Sequence, residues 1–100
     1  MLLVLGKVRL SSPITQDATV AMEKMIHASN LEEGCIEYAY SVDILDSQII
    51  RVTEKWIGKE ALAKHFQTAH MKEWLQFLET QPLESTDISM MEGELQPISL

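Results

Sequence analysis

Apolar residues in this chain recur with a period of two, then of about 3.6, then of two twice more, then of 3.6, then of two again, and few folds accept that succession. Leu2 to Leu10 alternates, with Leu2, Val4, Val8 and Leu10 on one side and Lys7 and Arg9 on the other, which predicts a strand. From about Thr15 to Leu31, the residues Ala18, Ala21, Met22, Met25, Ile26 and Ser29 recur at helical spacing. Ser11-Ser12-Pro13 ends the strand and offers capping hydroxyls to the helix. Gly34 offers the helix a stop, because glycine takes positive φ at little cost. Cys35 to Asp43 alternates again, Asp46-Ser47 turns the chain, and Gln48 to Trp56 returns antiparallel. A helical stretch opens at Gly58 and runs to Pro82, with Ala61, Leu62, His65, Phe66 and Ala69 inward and Met71, Trp74, Leu75 and Leu78 extending the stripe. Ser85 to Leu95 reads as a weaker final strand.

The resulting order, β-α-β-β-α-β, specifies an α+β class and a ferredoxin-like sandwich, four antiparallel strands with both helices on one face. No repeat or linker divides the chain, so residues 1–100 make one domain. The uncovered sheet face would carry Leu3, Leu5, Cys35, Ala39, Ile49 and Met91, too apolar to leave wet. A homodimer that lays two such faces together in two-fold symmetry, as a dimeric α/β barrel, is the expected solution.

A formal charge of −7 argues against nucleic acid and anionic lipid as partners, since both demand a basic footprint. The apolar opening Met1-Leu2-Leu3-Val4-Leu5 is too short for a signal-peptide core or a membrane span. One cysteine, Cys35, allows no internal disulfide, which fits a reducing cytoplasm. No glycine-rich phosphate loop, nucleophile elbow or dinucleotide fingerprint is present, so no cofactor is expected.

Three side chains stand out as candidates for proton chemistry. Glu54 shares a strand face with Ile50, Val52 and Trp56, where burial would raise its pKa unless it is paired. A structural reading has it reaching solvent at the strand end. His65 and His70 are five residues apart, about 140° of rotation on an unbroken helix. Both can face one pocket only if the helix kinks or breaks near Thr68; otherwise one is a core and one a surface histidine. Metal pairs on a helix prefer three- or four-residue spacing, so no metal is expected. Acid–base work suits an imidazole better, since it titrates near working pH. Tyr38, Tyr40, Trp56, Phe66 and Trp74 are core residues by default, and some of them must line whatever cavity exists. Cys35 has no evident imidazole partner that would activate its thiol.

Three stretches together resemble the antibiotic biosynthesis monooxygenase family, small dimeric ferredoxin-like proteins that include quinol monooxygenases. They are Ser29-Asn30-Leu31-Glu32-Glu33-Gly34-Cys35-Ile36-Glu37-Tyr38, then Glu54-Lys55-Trp56, then Glu60-Ala61-Leu62-Ala63-Lys64-His65-Phe66-Gln67-Thr68-Ala69-His70-Met71. The resemblance implies oxygenation without metal or flavin. A substrate that is electron-rich once deprotonated can pass one electron to dioxygen and recombine with it, provided that a base and a dry pocket hold the anion. On that basis His70 or His65 takes the proton, Glu54 orients an imidazole, and Tyr38, Trp56, Phe66 and Trp74 form the walls. Haem-degrading members carry an asparagine on the first strand and a tryptophan near the position of His65; this chain has neither, which disfavours haem breakdown.

The leading expectation is therefore a cofactor-independent monooxygenase acting on dioxygen and a quinol or polyhydroxylated aromatic. An isomerase or tautomerase of a small carbonyl compound would need the same base without oxygen. A dimeric module that binds a small hydrophobic molecule without converting it would need only the pocket.

Overall fold

The computed structural model describes all 100 residues. Seven elements follow one another: β1 (Leu2–Leu10), α1 (Gln16–Asn30), β2 (Cys35–Val42), β3 (Ile49–Trp56), α2 (Lys59–His65), α3 (Ala69–Leu78) and β4 (Leu83–Glu92). The strands form one antiparallel sheet in the order β2-β3-β1-β4, the ferredoxin-like arrangement expected from the period changes. No helix is long and apolar enough to cross a membrane.

Antiparallel partners point to the same side of a sheet, so the register fixes which residues face the helices. Tyr38, Glu54, Val4 and Met90 form one rung across the four strands, and Tyr40, Val52, Gly6 and Ile88 the next. Leu2, Val4, Met25, Tyr38, Trp56, Ala61 and Met71 make the main core cluster. A second cluster, Leu10, Ala18, Met22 and Ile50, closes the other end. β4 pairs with β1 alone, and every one of its residues is exposed because no helix covers it.

The helices differ from expectation in instructive ways. The stretch after Gly58 is not one helix but two, and the break falls at Thr68. Thr68 is extended; its hydroxyl accepts the Met71 N–H at 3.2 Å and donates to the His65 carbonyl at 2.7 Å. One side chain thus ends α2 and starts α3. Thr15, rather than Ser11 or Ser12, caps α1, accepting the Ala18 N–H at 3.1 Å. Gly34 is not the stop of α1, which ends at Asn30 with Leu31 as its right-handed cap. Gly34 sits in the following turn at φ 88°, where a Cβ would meet the Ala61 Cβ at 2.7 Å.

On the helix-free face Leu5 and Met91 are exposed, as the alternation requires. Ile49 is buried there instead. Cys35 leaves that face altogether: a register shift between Cys35 and Glu37 turns it toward the main core cluster.

Candidate active site

Two clamps position the loop between α1 and β2. The Asn30 side-chain amide donates to the carbonyls of Ile26 (2.7 Å) and Tyr38 (2.9 Å), and its oxygen accepts the Tyr38 N–H at 3.2 Å. At the other end the Gly34 carbonyl accepts the Ile57 N–H at 2.9 Å, tying the loop to the end of β3. Glu32 hangs between these anchors with its carboxylate turned inward.

There it meets both imidazoles. Glu32 Oε2 lies 2.6 Å from His65 Nδ1 and 2.8 Å from His70 Nε2. A carboxylate oxygen only accepts, so each of these ring nitrogens carries the hydrogen. A neutral His65 then keeps its lone pair on Nε2, which has no protein partner. The break at Thr68 is what lets residues 65 and 70 converge, because it replaces the 140° separation of a continuous helix with an independent start for α3.

The His65 ring lines a cavity of about 620 Å³ between the sheet and the helices, and 19 of its 24 lining residues are hydrophobic. Tyr38, Tyr40 and Glu54 share that lining, as do Phe66 and Trp74. The Tyr38 and Tyr40 hydroxyls are 2.6 Å apart. Burial above all pushes both phenols well above the usual tyrosine range, so the pair is neutral, and with one O–H spent between them it has one left to donate. Burial also raises the Glu54 pKa, opposed by the indole N–H of Trp56 and by nearby His65.

The other candidates divide. Trp56 does not line the cavity; it is wholly buried and donates its Nε1–H to Glu54 Oε1 at 3.0 Å, so it orients the carboxylate. Glu54 in turn hydrogen-bonds neither imidazole, and the carboxylate that holds them is Glu32. His70 faces away from the main cavity, into a small cleft with Lys24, Glu73 and Trp74. Trp74 stacks on Tyr40 at 5.8 Å between ring centroids. The Cys35 thiol is pushed up to about 11, chiefly by burial, and is therefore a poor nucleophile at neutral pH.

Sequence reasoning assigns no role to Glu32 or Asn30, and marks Thr68 only as the place near which the helix would have to break. Periodicity does not separate Glu32 from Glu33, since both stand in a loop; only the family-like stretch around them marked the region. Glu32, His65 and His70 also make a two-imidazole, one-carboxylate donor set, with ligand atoms within 4.8 Å of one another, of a kind that suits a divalent transition ion. Such an ion would take His65 Nδ1 in place of its hydrogen bond.

The family profile described as antibiotic biosynthesis monooxygenase matches residues 1–76. No curated protein matches the chain significantly. Among solved structures, a provisionally named antibiotic biosynthesis monooxygenase from Deinococcus radiodurans superposes with a TM-score of 0.88 at 21% identity, covering 99% of each chain. A conserved protein from Methanosarcina mazei gives 0.84 at 22% identity, with 93% of this chain and 92% of that one covered. A similarly named protein from Nitrosomonas europaea gives 0.84 at 16% identity, covering 92% and 88%. At such identities these likenesses establish the fold.

Proposed function

The chain belongs to the antibiotic biosynthesis monooxygenase family, and from that premise we propose that it is a cofactor-independent monooxygenase of a quinol or polyhydroxylated aromatic, with His65 as the base. One observation carries the reading: an imidazole fixed through Nδ1 by a carboxylate, its Nε2 left without a hydrogen bond, lines an apolar cavity. That is how a general base is held in one tautomer and one orientation.

A hydroxylated ring lying against Tyr38, Glu54 and His65 gives its proton to His65 Nε2. Apolar walls favour reaction of the resulting anion, because they withhold the water that would stabilise it. It transfers one electron to dioxygen, and the radical pair joins to form a ring peroxide anion, which takes back the proton held by His65 to become the hydroperoxide. As the O–O bond breaks, the hydrogen on the peroxidised ring carbon is lost as a proton to the departing hydroxide, so that water leaves and a carbonyl remains. Quinol plus dioxygen gives hydroxyquinone plus water, so atoms and electrons balance with no further reductant. The Tyr38–Tyr40 hydroxyl pair, neutral at working pH, supplies the hydrogen bond that holds the ring oxygen. Glu32 acts as a positioning residue, and His70 holds Glu32 from the other side.

Homodimerisation through the helix-free face belongs to the same proposal. Leu5 and Met91 point outward there, and a two-fold pairing would cover both. Such a protein would work in the cytoplasm, where Cys35 stays reduced.

Oxygen uptake with a panel of hydroquinones tests the reaction. Stimulation that His65→Gln abolishes is the expected result. No stimulation by any of them would remove the oxygenase reading, and turnover that persists without oxygen would replace it by proton transfer alone.

A further inference from the structure

The cavity is much longer than the site of proton transfer. Its lining runs along β1 from Val4 to Leu10, which at strand rise is roughly 20 Å. Polar chemistry is concentrated at one end. Tyr38 and Glu54 stand on the rung of Val4 and Met90, Tyr40 on the next, and His65 packs 5.5 Å from the Tyr38 ring. Past Tyr40 the walls are Val8, Ile50 and Thr86 on one rung, with Met22, Phe77 and Leu78, until Leu10, Leu83 and Gln81 mark the far mouth. A single ring occupies the first rungs only. Roughly 13 Å, four residues of strand, remains beyond it.

The open side between α3 and β4 leaves Leu75, Ile88 and Met90 exposed although all three line the same cavity. Left empty, that half keeps apolar surface in water; filled by a methylene chain, it does not. We propose that the cavity takes a hydroxylated ring bearing a long saturated or isoprenoid side chain. The ring lies at Glu54 and His65, and the chain runs between α3 and β4, past Thr86, to emerge near Leu83. This rests on the reading of His65 as the chemical end of the cavity. It adds that affinity comes from the far half.

Binding of 5-alkylresorcinols tests this without turnover or oxygen, using calorimetry on the full chain under nitrogen with methyl, butyl, octyl and dodecyl homologues. The expected result is a Kd that falls at least about tenfold from methyl to octyl, since each buried methylene contributes favourably. Thr86→Trp, at an exposed position on the Val8 rung along the path of the side chain, should weaken the dodecyl homologue severalfold and leave the methyl one unchanged. Affinity independent of chain length overturns the proposal, as does an unaltered dodecyl affinity in Thr86→Trp. No binding of any homologue overturns it too. The test separates from that of the reaction. A flat length series with hydroquinone-driven oxygen uptake intact removes the side chain only; a steep series with no uptake removes the oxygenase only.

Discussion

Glu32 Oε2 lies 2.6 Å from His65 Nδ1, although 33 residues of chain separate the two. The same oxygen takes a second hydrogen bond from His70. Replacing Glu32 by Gln keeps the shape and removes the charge, and the amide nitrogen, unlike a carboxylate, can donate to a ring nitrogen and select the other tautomer. We expect Glu32→Gln to lower kcat by roughly 10²-fold, within the range that general-base catalysis contributes. Steady-state oxygen uptake checks it, with circular dichroism to show that the fold is kept. An unchanged kcat would mean that Glu32 is purely structural.

His65 and His70 should not be equivalent. His65 is buried and lines the cavity, whereas His70 lies outside that lining and hydrogen-bonds the carboxylate that His65 also uses. His65→Gln should cost roughly 10²- to 10⁴-fold in kcat, and His70→Gln less than about tenfold. The two should also combine differently with Glu32→Gln. Once Glu32 is changed, a further change at His70 should add little, because both act through one contact. Equal losses for the two single variants would count against the assignment of His65 as base.

Glu54 makes stability depend on pH in a definite direction. Burial raises its folded-state pKa above the unfolded value. The folded protein therefore binds this proton more tightly, and stability is full below the unfolded pKa and falls as pH rises through the folded one. Glu54→Gln keeps an acceptor for the Trp56 indole and removes the buried charge. Urea melts of both proteins from about pH 4 to 8 should show the variant gaining on the parent as pH rises, starting from the ordinary carboxylate range. A difference that stays constant across that range would deny the burial cost.

Asn30 makes three hydrogen bonds with one amide, two of them to the backbone of Tyr38. Asn30→Ala should destabilise the fold by about 2–3 kcal/mol, since it leaves part-buried backbone groups without partners. It should also slow turnover, because the loop that carries Glu32 loses its anchor. Urea denaturation with a parallel rate measurement checks both effects.

Gly34→Ala should cost about 1–3 kcal/mol for placing a side chain at positive φ, with the contact against Ala61 added to it. Thermal melting reads this directly. A neutral effect would show that α2 can move away from the loop without penalty.

Much of the architecture can be read from alternation and helical spacing in the chain alone. The bounds of β1 and the end of β3 match expectation to the residue, because alternation about a sheet face is a local property of the sequence. The split between α2 and α3 was readable only as a condition, that His65 and His70 could share a pocket if the chain broke near Thr68. A threonine followed by apolar residues at helical spacing looks much like helix interior until its hydroxyl finds the Met71 N–H. Trp56 read as a cavity wall because an aromatic on an inward face can be either wall or core. Only packing put it behind Glu54.

Legible in the chain alone are the strand order along it, the two helical stretches, the apolar faces, and the side chains capable of proton chemistry. Those are matters of periodicity and residue type, and both operate over a few neighbouring positions. Tertiary structure decided that Glu32 rather than Glu54 holds the imidazoles, and that His65 rather than His70 meets the cavity. The reason is geometric. A loop clamped by Asn30, a helix break at Thr68 and the end of β3 must arrive at one place, and no local pattern encodes where three separate segments converge.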